Sequence, residues 1–249
     1  MTPTGPGELL ATWEAGLTRH DGERSLLLHR AARPGAGTDE LLAMPVGERE
    51  ADLFALRRAL FGERMQVRVE CASCGEPMEF ELDATALGAR PRTPPDRPLR
   101  VEEGEWAVEF RLPTVADLAA AGAVPDPAEG RRRLLARCTV SAVRGGVAVP
   151  PEQLPGLLPE RVERRLAEVA EEADPAAAVT LDVVCPECGA TTPAELDITS
   201  YLWTELDNWA RDMLLDVHLL ASAYGWSEPE ILALSPLRRR YYLELCADA

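Results

Sequence analysis

The chain contains no lysine; all 26 of its basic residues are arginine. Set against 42 acidic residues, they leave a formal net charge of −16. A general binder of nucleic acid needs a net or local positive field, so this balance argues against nucleic acid as a partner. The missing lysine reads as the mark of a GC-rich genome rather than of a function. Histidine is scarce as well. His20, His29 and His218 sit in no nucleophile–base pattern, and there is neither a Gly-rich phosphate loop nor a His-Glu-x-x-His stretch. No catalytic centre and no small-molecule substrate are expected. No run approaches the ~18 apolar residues of a membrane span, and "MTPTGPGELLATWEAG" has no basic segment leading into an apolar one. The expectation is a cytoplasmic protein without membrane contact, whose partners are proteins.

Hydrophobic residues make up 46% of the 249, enough for a packed core. That length suits two lobes, or one domain with a large insertion. In "GEREADLFALRRALFG", Leu53, Leu56, Leu60 and Phe61 recur at helical spacing before Gly62. "RSLLLHRAA" is ambiguous between strand and buried helix. "MQVRVECASCGEPMEFELD" alternates on both sides of its cysteines, as a β-hairpin does. "RPRTPPDRPLR" is too rich in proline for regular structure. "WAVEFRL" reads as a strand, Thr114 as the cap of a short helix, and 128–140 and 159–173 as helices ending in the second case at Asp174-Pro175. "AVTLDVVCPECGATTPAELD" repeats the strand–turn–strand pattern. From Tyr201 to Tyr224, Leu202, Leu206, Trp209, Met213, Val217 and Leu220 trace one long helix stopped by Gly225. Ser227-Glu-Pro-Glu230 is a capping box, and Pro236 opens a last helix.

The two Cys-x-x-Cys-Gly stretches carry the chemistry. In a reducing compartment paired cysteines more often ligate metal than form disulfides. A tetrahedral zinc site needs four ligands, and each stretch supplies two. No third ligand lies near the first; the second has only His218, which reads as a core-edge residue of the long helix. The economical solution is one site made of Cys71, Cys74, Cys185 and Cys188, holding one structural zinc ion. Gly75 and Gly189 suit the positive-φ turn that brings backbone N–H groups toward thiolates. Disulfides within each pair, redox chemistry, and zinc shared between two chains remain as alternatives. Four cysteines close the coordination shell, which excludes a catalytic zinc. Cys138 and Cys246 read as small buried residues.

The fold class that follows is α+β. A zinc-ribbon-like pair of β-hairpins carries a large inserted α/β lobe and is followed by a C-terminal helical segment. The expected boundaries are 1–66 (mainly helical), 67–88 (first knuckle hairpin), 90–178 (inserted lobe), 179–198 (second knuckle hairpin) and 199–249 (C-terminal helices).

"PVGEREADLFALRRALFG", "VECASCGEPMEFEL", "VVCPECG…LDITSYLWTEL" and "YGWSEPEILALSPLRRRYYLEL" together resemble a family of phage tails and phage-tail-like contractile injection systems, the T4-type baseplate protein or baseplate hub assembly chaperone. The resemblance implies a non-enzymatic structural or assembly protein whose partners are baseplate, hub or tail-tube proteins. The alternative is a zinc-ribbon nucleic-acid-binding regulator. Against it stand the net charge and Glu70, Glu76, Glu79 and Glu187 around the knuckles.

Overall fold

The computed structural model describes residues 5–87 and 97–247. The chain divides into two compact units, residues 1–31 with 199–249, and residues 32–198. Among the described residues no helix is long and apolar enough to cross a membrane.

The first unit is helical. It contains α1 (Pro6–Gly16) and α2 (Asp21–Ala32, whose last residue opens the other unit). The ambiguous "RSLLLHRAA" is therefore helix. Ser25, Leu28, His29 and Ala32, at i, i+3, i+4 and i+7, form its buried face. Leu9, Leu10 and Trp13 of α1 are buried in the same unit, and the Trp13 indole N–H donates to Asp207 at 2.8 Å. A Cβ at Gly16 would lie 2.2 Å from the Trp203 ring, so that contact requires glycine.

The 32–198 unit starts with α3 (Thr38–Ala43) and α4 (Val46–Phe61). Pro45 precedes α4 and offers no side-chain cap. Instead the Gly47 N–H donates to Asp174 at 2.9 Å, from 127 residues away. A carboxylate at this helix end also meets the positive end of its dipole. At the other end the buried Arg57 donates to the carbonyls of Gly62 and Arg64, each at 2.7 Å. That clamp, with Gly62 at φ +88, turns the chain out of α4.

The clamp leads into the first hairpin, β1 (Arg64–Glu70) and β2 (Pro77–Asp83), followed by α5 (Ala84–Leu87). The chain then builds an antiparallel sheet in sequential order, β3 (Leu99–Glu103), β4 (Trp106–Phe110), β5 (Thr139–Arg144) and β6 (Val147–Ala148). Most of the expected Pro-rich linker lies outside the described residues; its end does not stay irregular, since Leu99 and Arg100 open β3. Between β4 and β5 come α6 (Val115–Gly122) and α7 (Pro127–Cys138); after β6 come a 3₁₀ turn (Pro151–Gly156) and α8 (Glu160–Ala173). The helix expected over 128–140 stops at Cys138, where a strand takes over. One sheet face, with Val101, Trp106, Val108, Phe110 and Ala142, packs against Leu154, Val162 and Leu166. Thr114 caps α6 as expected, within an ion network. Asp117, fully buried, receives Arg111 at 2.5 Å, Arg137 at 2.8 Å, and the Thr114 N–H at 2.9 Å and hydroxyl at 2.8 Å.

The second hairpin, β7 (Thr180–Val184) with β8 (Thr191–Glu195), leads into α9 (Ile198–Tyr224). This long helix buries Leu202, Leu206, Met213 and Leu220 of the expected stripe, with Ala210 between them. His218, one residue beyond Val217 and about 100° round the helix, is exposed rather than at the core edge. Gly225, at φ +71, ends α9; α10 (Glu228–Leu232) starts with the expected capping box, and α11 (Pro236–Ala247) closes the chain. Tyr224 stacks on Trp226 with ring centroids 4.7 Å apart, and Tyr242 meets Trp226 edge-on at 4.9 Å.

Candidate metal centre

Each hairpin turns through the same backbone pattern. In the first, the Cys71 N–H donates to the Glu76 carbonyl and the Gly75 N–H to the Cys71 carbonyl, both at 2.9 Å. In the second, the Cys185 N–H donates to Ala190 and the Gly189 N–H to Cys185, again at 2.9 Å. Gly75 and Gly189 have φ of +76 and +72, the left-handed conformation that side chains resist. Cys71-Ala-Ser-Cys74, which lacks the proline of Cys185-Pro186, thus makes the same turn.

The turns bring four thiols together. Their Sγ atoms all lie within 4.8 Å of one another; Cys71 and Cys188 are 3.6 Å apart, Cys74 and Cys185 3.7 Å. A metal–thiolate bond of ~2.3 Å in a tetrahedron places its sulfurs ~3.8 Å apart, so the four fit one four-coordinate ion of the zinc type. All six cysteines are free, so no disulfide closes either pair. In each knuckle the first cysteine is buried and the second exposed. Met78 is buried beside Cys71 and Cys185, with Val69, Val183 and Ala190 packed around them.

The electrostatics of the cluster suit a cation. The N–H groups of Cys74 and Ser73 lower the Cys71 pKa to about 6. At Cys74 the Glu76 N–H favours the thiolate, yet the neighbouring sulfurs of Cys188 and Cys71 push the pKa up to about 12. Four thiolates in this volume repel one another unless a cation sits among them.

Thr192, buried on β8, is a residue that the sequence did not single out. Its hydroxyl accepts the Ala72 N–H at 3.1 Å and lies 3.9 Å from the Cys71 sulfur, toward which it donates. It joins the second hairpin to the first knuckle without being a ligand. Cys138 is elsewhere, at the end of α7, where burial pushes its thiol up to about 11. Cys246 is in α11. Among the described residues the four cysteines are the one group of three or more Cys, His, Asp or Glu side chains close enough to share an ion.

A family model described as T4 bacteriophage base plate protein matches residues 34–200. That is more than half of the chain and nearly coincides with the 32–198 unit, both hairpins included. The segment from 201 onward, with "GWSEPEILALSPLRRRYYLEL", lies beyond the matched span. No curated protein and no solved structure matches the chain.

Proposed function

The chain belongs to the T4 bacteriophage base plate protein family, and from that premise we propose that it is a non-enzymatic structural or chaperone-like assembly protein of the baseplate and hub of a phage tail or a phage-tail-like contractile injection system. The single observation that carries this reading is the family match over 34–200. In the same proposal one structural zinc ion, held by Cys71, Cys74, Cys185 and Cys188, closes the 32–198 unit. The two hairpins then act as the halves of a zinc-ribbon-like clip, with the β3–β6 sheet and its helices as an insertion between them. The shell is complete with four thiolates and leaves no position for water or substrate, so the ion's contribution is folding energy rather than catalysis.

The partners are baseplate, hub or tail-tube proteins, engaged through apolar and aromatic side chains such as those of the C-terminal helices. Nucleic acid is disfavoured as a partner because Glu70, Glu76, Glu79 and Glu187 are all exposed around the knuckles.

The test is deletion of the gene in a particle-producing strain, followed by electron microscopy of purified particles and complementation with the tagged chain. Tubes and sheaths without baseplates, or loss of assembled particles, are expected, with rescue by the wild-type chain. Normal yield and morphology of particles in the deletion strain would overturn the proposal. A DNA gel shift at physiological salt would favour the regulator reading instead.

A further inference from the structure

Two apolar surfaces, an open groove in one unit and an exposed stripe in the other, match each other. One is a groove of about 450 Å³ in the 32–198 unit. Phe110 lies in it, Leu134 and Leu135 line it from α7, and Leu166, Ala167 and Ala170 from α8. The small side chains of Ala167 and Ala170 leave room for another helix to come close. Its rim carries Arg131 on the α7 side and, on the α8 side, Glu163 next to Glu160 and Arg164, which pair with each other at 2.9 Å; Arg111, also in the lining, is held by Asp117. Among the described residues neither Arg131 nor Glu163 forms an ion pair. The α7 wall, from Arg131 to Cys138, is about 11 Å long at 1.5 Å per residue.

The other surface is a stripe on α11, in the unit formed by 1–31 and 199–249. Leu237, Tyr241 and Leu245 are 65%, 61% and 60% exposed and recur every four residues, so they lie along one side of the helix. The stripe is about 12 Å long. Arg238 borders it on one side and Glu244 on the other, where Glu244 also receives Arg240 at 2.9 Å in an exposed pair that a stronger partner can displace. Exposed apolar rows of this kind mark interaction surfaces.

We propose that the groove between α7 and α8 is the docking site for α11 of a second copy of the chain. The stripe fills the apolar slot in the helix-in-groove mode, and Arg238 and Glu244 face Glu163 and Arg131. The opposed charges on the two walls fix the direction in which the helix lies. Because groove and stripe are different surfaces, the contact is head-to-tail, and it builds a ring if the rotation closes or an open row if it does not. This goes beyond the baseplate reading and does not depend on it, since the purified chain alone suffices to test it.

The experiment is analytical ultracentrifugation of the full zinc-loaded chain at rising concentration, in salt near 0.15 M to screen the net charge of −16. Wild type is expected to form species larger than a dimer. Ala167→Arg, which fills the groove, and Tyr241→Glu, which breaks the stripe, each weaken self-association more than ~10-fold. Mixed in equal amounts, the two variants form a heterodimer and nothing larger, because one intact groove meets one intact stripe. Ala170→Arg and Leu237→Glu replace either variant if circular dichroism shows that it misfolds. A wild-type chain that stays monomeric, self-association that survives either variant, or a mixture that fails to pair would each overturn the proposal.

Discussion

Replacing Cys185 by serine removes a buried sulfur from the four-thiol cluster. Three thiolates, with Cys188 the last one on the second hairpin, no longer complete the tetrahedral shell; the ion is lost and the link between the two hairpins opens. Its size follows from chain entropy. Cross-linking the knuckles closes a loop of a hundred-odd residues, and such a closure restricts the unfolded chain by about 5 kcal/mol. For a unit of this size each kcal/mol moves the unfolding midpoint by about 2–4 °C, so Cys185→Ser should lower it by roughly 10–20 °C. The assay is thermal unfolding of zinc-loaded wild type and variant, each with and without a strong chelator. Chelator should bring wild type down close to the variant's midpoint and leave the variant unmoved. Cys246→Ser, outside the cluster, should respond to chelator as wild type does. A Cys185→Ser midpoint within about 2 °C of wild type, or an equal chelator shift in both proteins, would refute the reasoning.

Asp117 gives a pH signature. Burial raises its pKa, but hydrogen bonds from Arg111 and Thr114 and the arginine charge more than offset this and hold it far below the ordinary carboxylate range. A depressed folded-state pKa contributes stability above the unfolded value near ~4 that is lost as pH falls. Asp117→Asn should therefore cost about 2–3 kcal/mol at pH 7, discounted from a fully buried pair because both arginine side chains are two-fifths exposed; the gap to wild type in urea unfolding should narrow at pH 3, and a constant gap would contradict this. Thr192→Val deletes the hydroxyl that accepts from Ala72 and donates toward Cys71, and should weaken zinc retention roughly tenfold in competition with a colorimetric chelator; unchanged zinc transfer would count against its role. Gly47→Ala would put a Cβ 1.8 Å from the Asp174 carboxylate and displace it from the start of α4. Its expected cost of about 2–3 kcal/mol should show in the urea midpoint and exceed that of Gly189→Ala. Gly189 has open space around it and only a positive φ to protect, worth about 1–2 kcal/mol.

The elements whose pattern and packing agree were legible in the sequence. The α9 stripe, the Thr114 cap, the Gly225 stop and the two hairpins all carried their own local signals. Counting ligands grouped cysteines more than a hundred residues apart, and the structure brings the four sulfurs together. Other elements were hidden by side chains that run against type. In β5 and β6 the exposed positions carry Val140 and Val147, while the inward ones carry Thr139 and Ala142. The usual alternation is broken there, with two exposed residues between the buried Thr139 and Ala142, and the first two residues of β5 were read as the end of the preceding helix. In α2 two of the four buried positions are Ser25 and His29, so leucine spacing alone did not reveal the helix. Thr192 and Asp174 act across 120 and 127 residues of chain, and nothing local marks them. Asp174 was legible as the end of α8; that it also caps α4 depends on tertiary structure.

The two Cys-x-x-Cys turns are expected to form one metal site rather than two or none. Elemental analysis of the purified chain, paired with alkylation of the native protein, tests this most directly. One zinc per chain is expected, with Cys71, Cys74, Cys185 and Cys188 protected until chelator is added. Two zinc ions per chain, or none with all four cysteines alkylated in the native state, would contradict it.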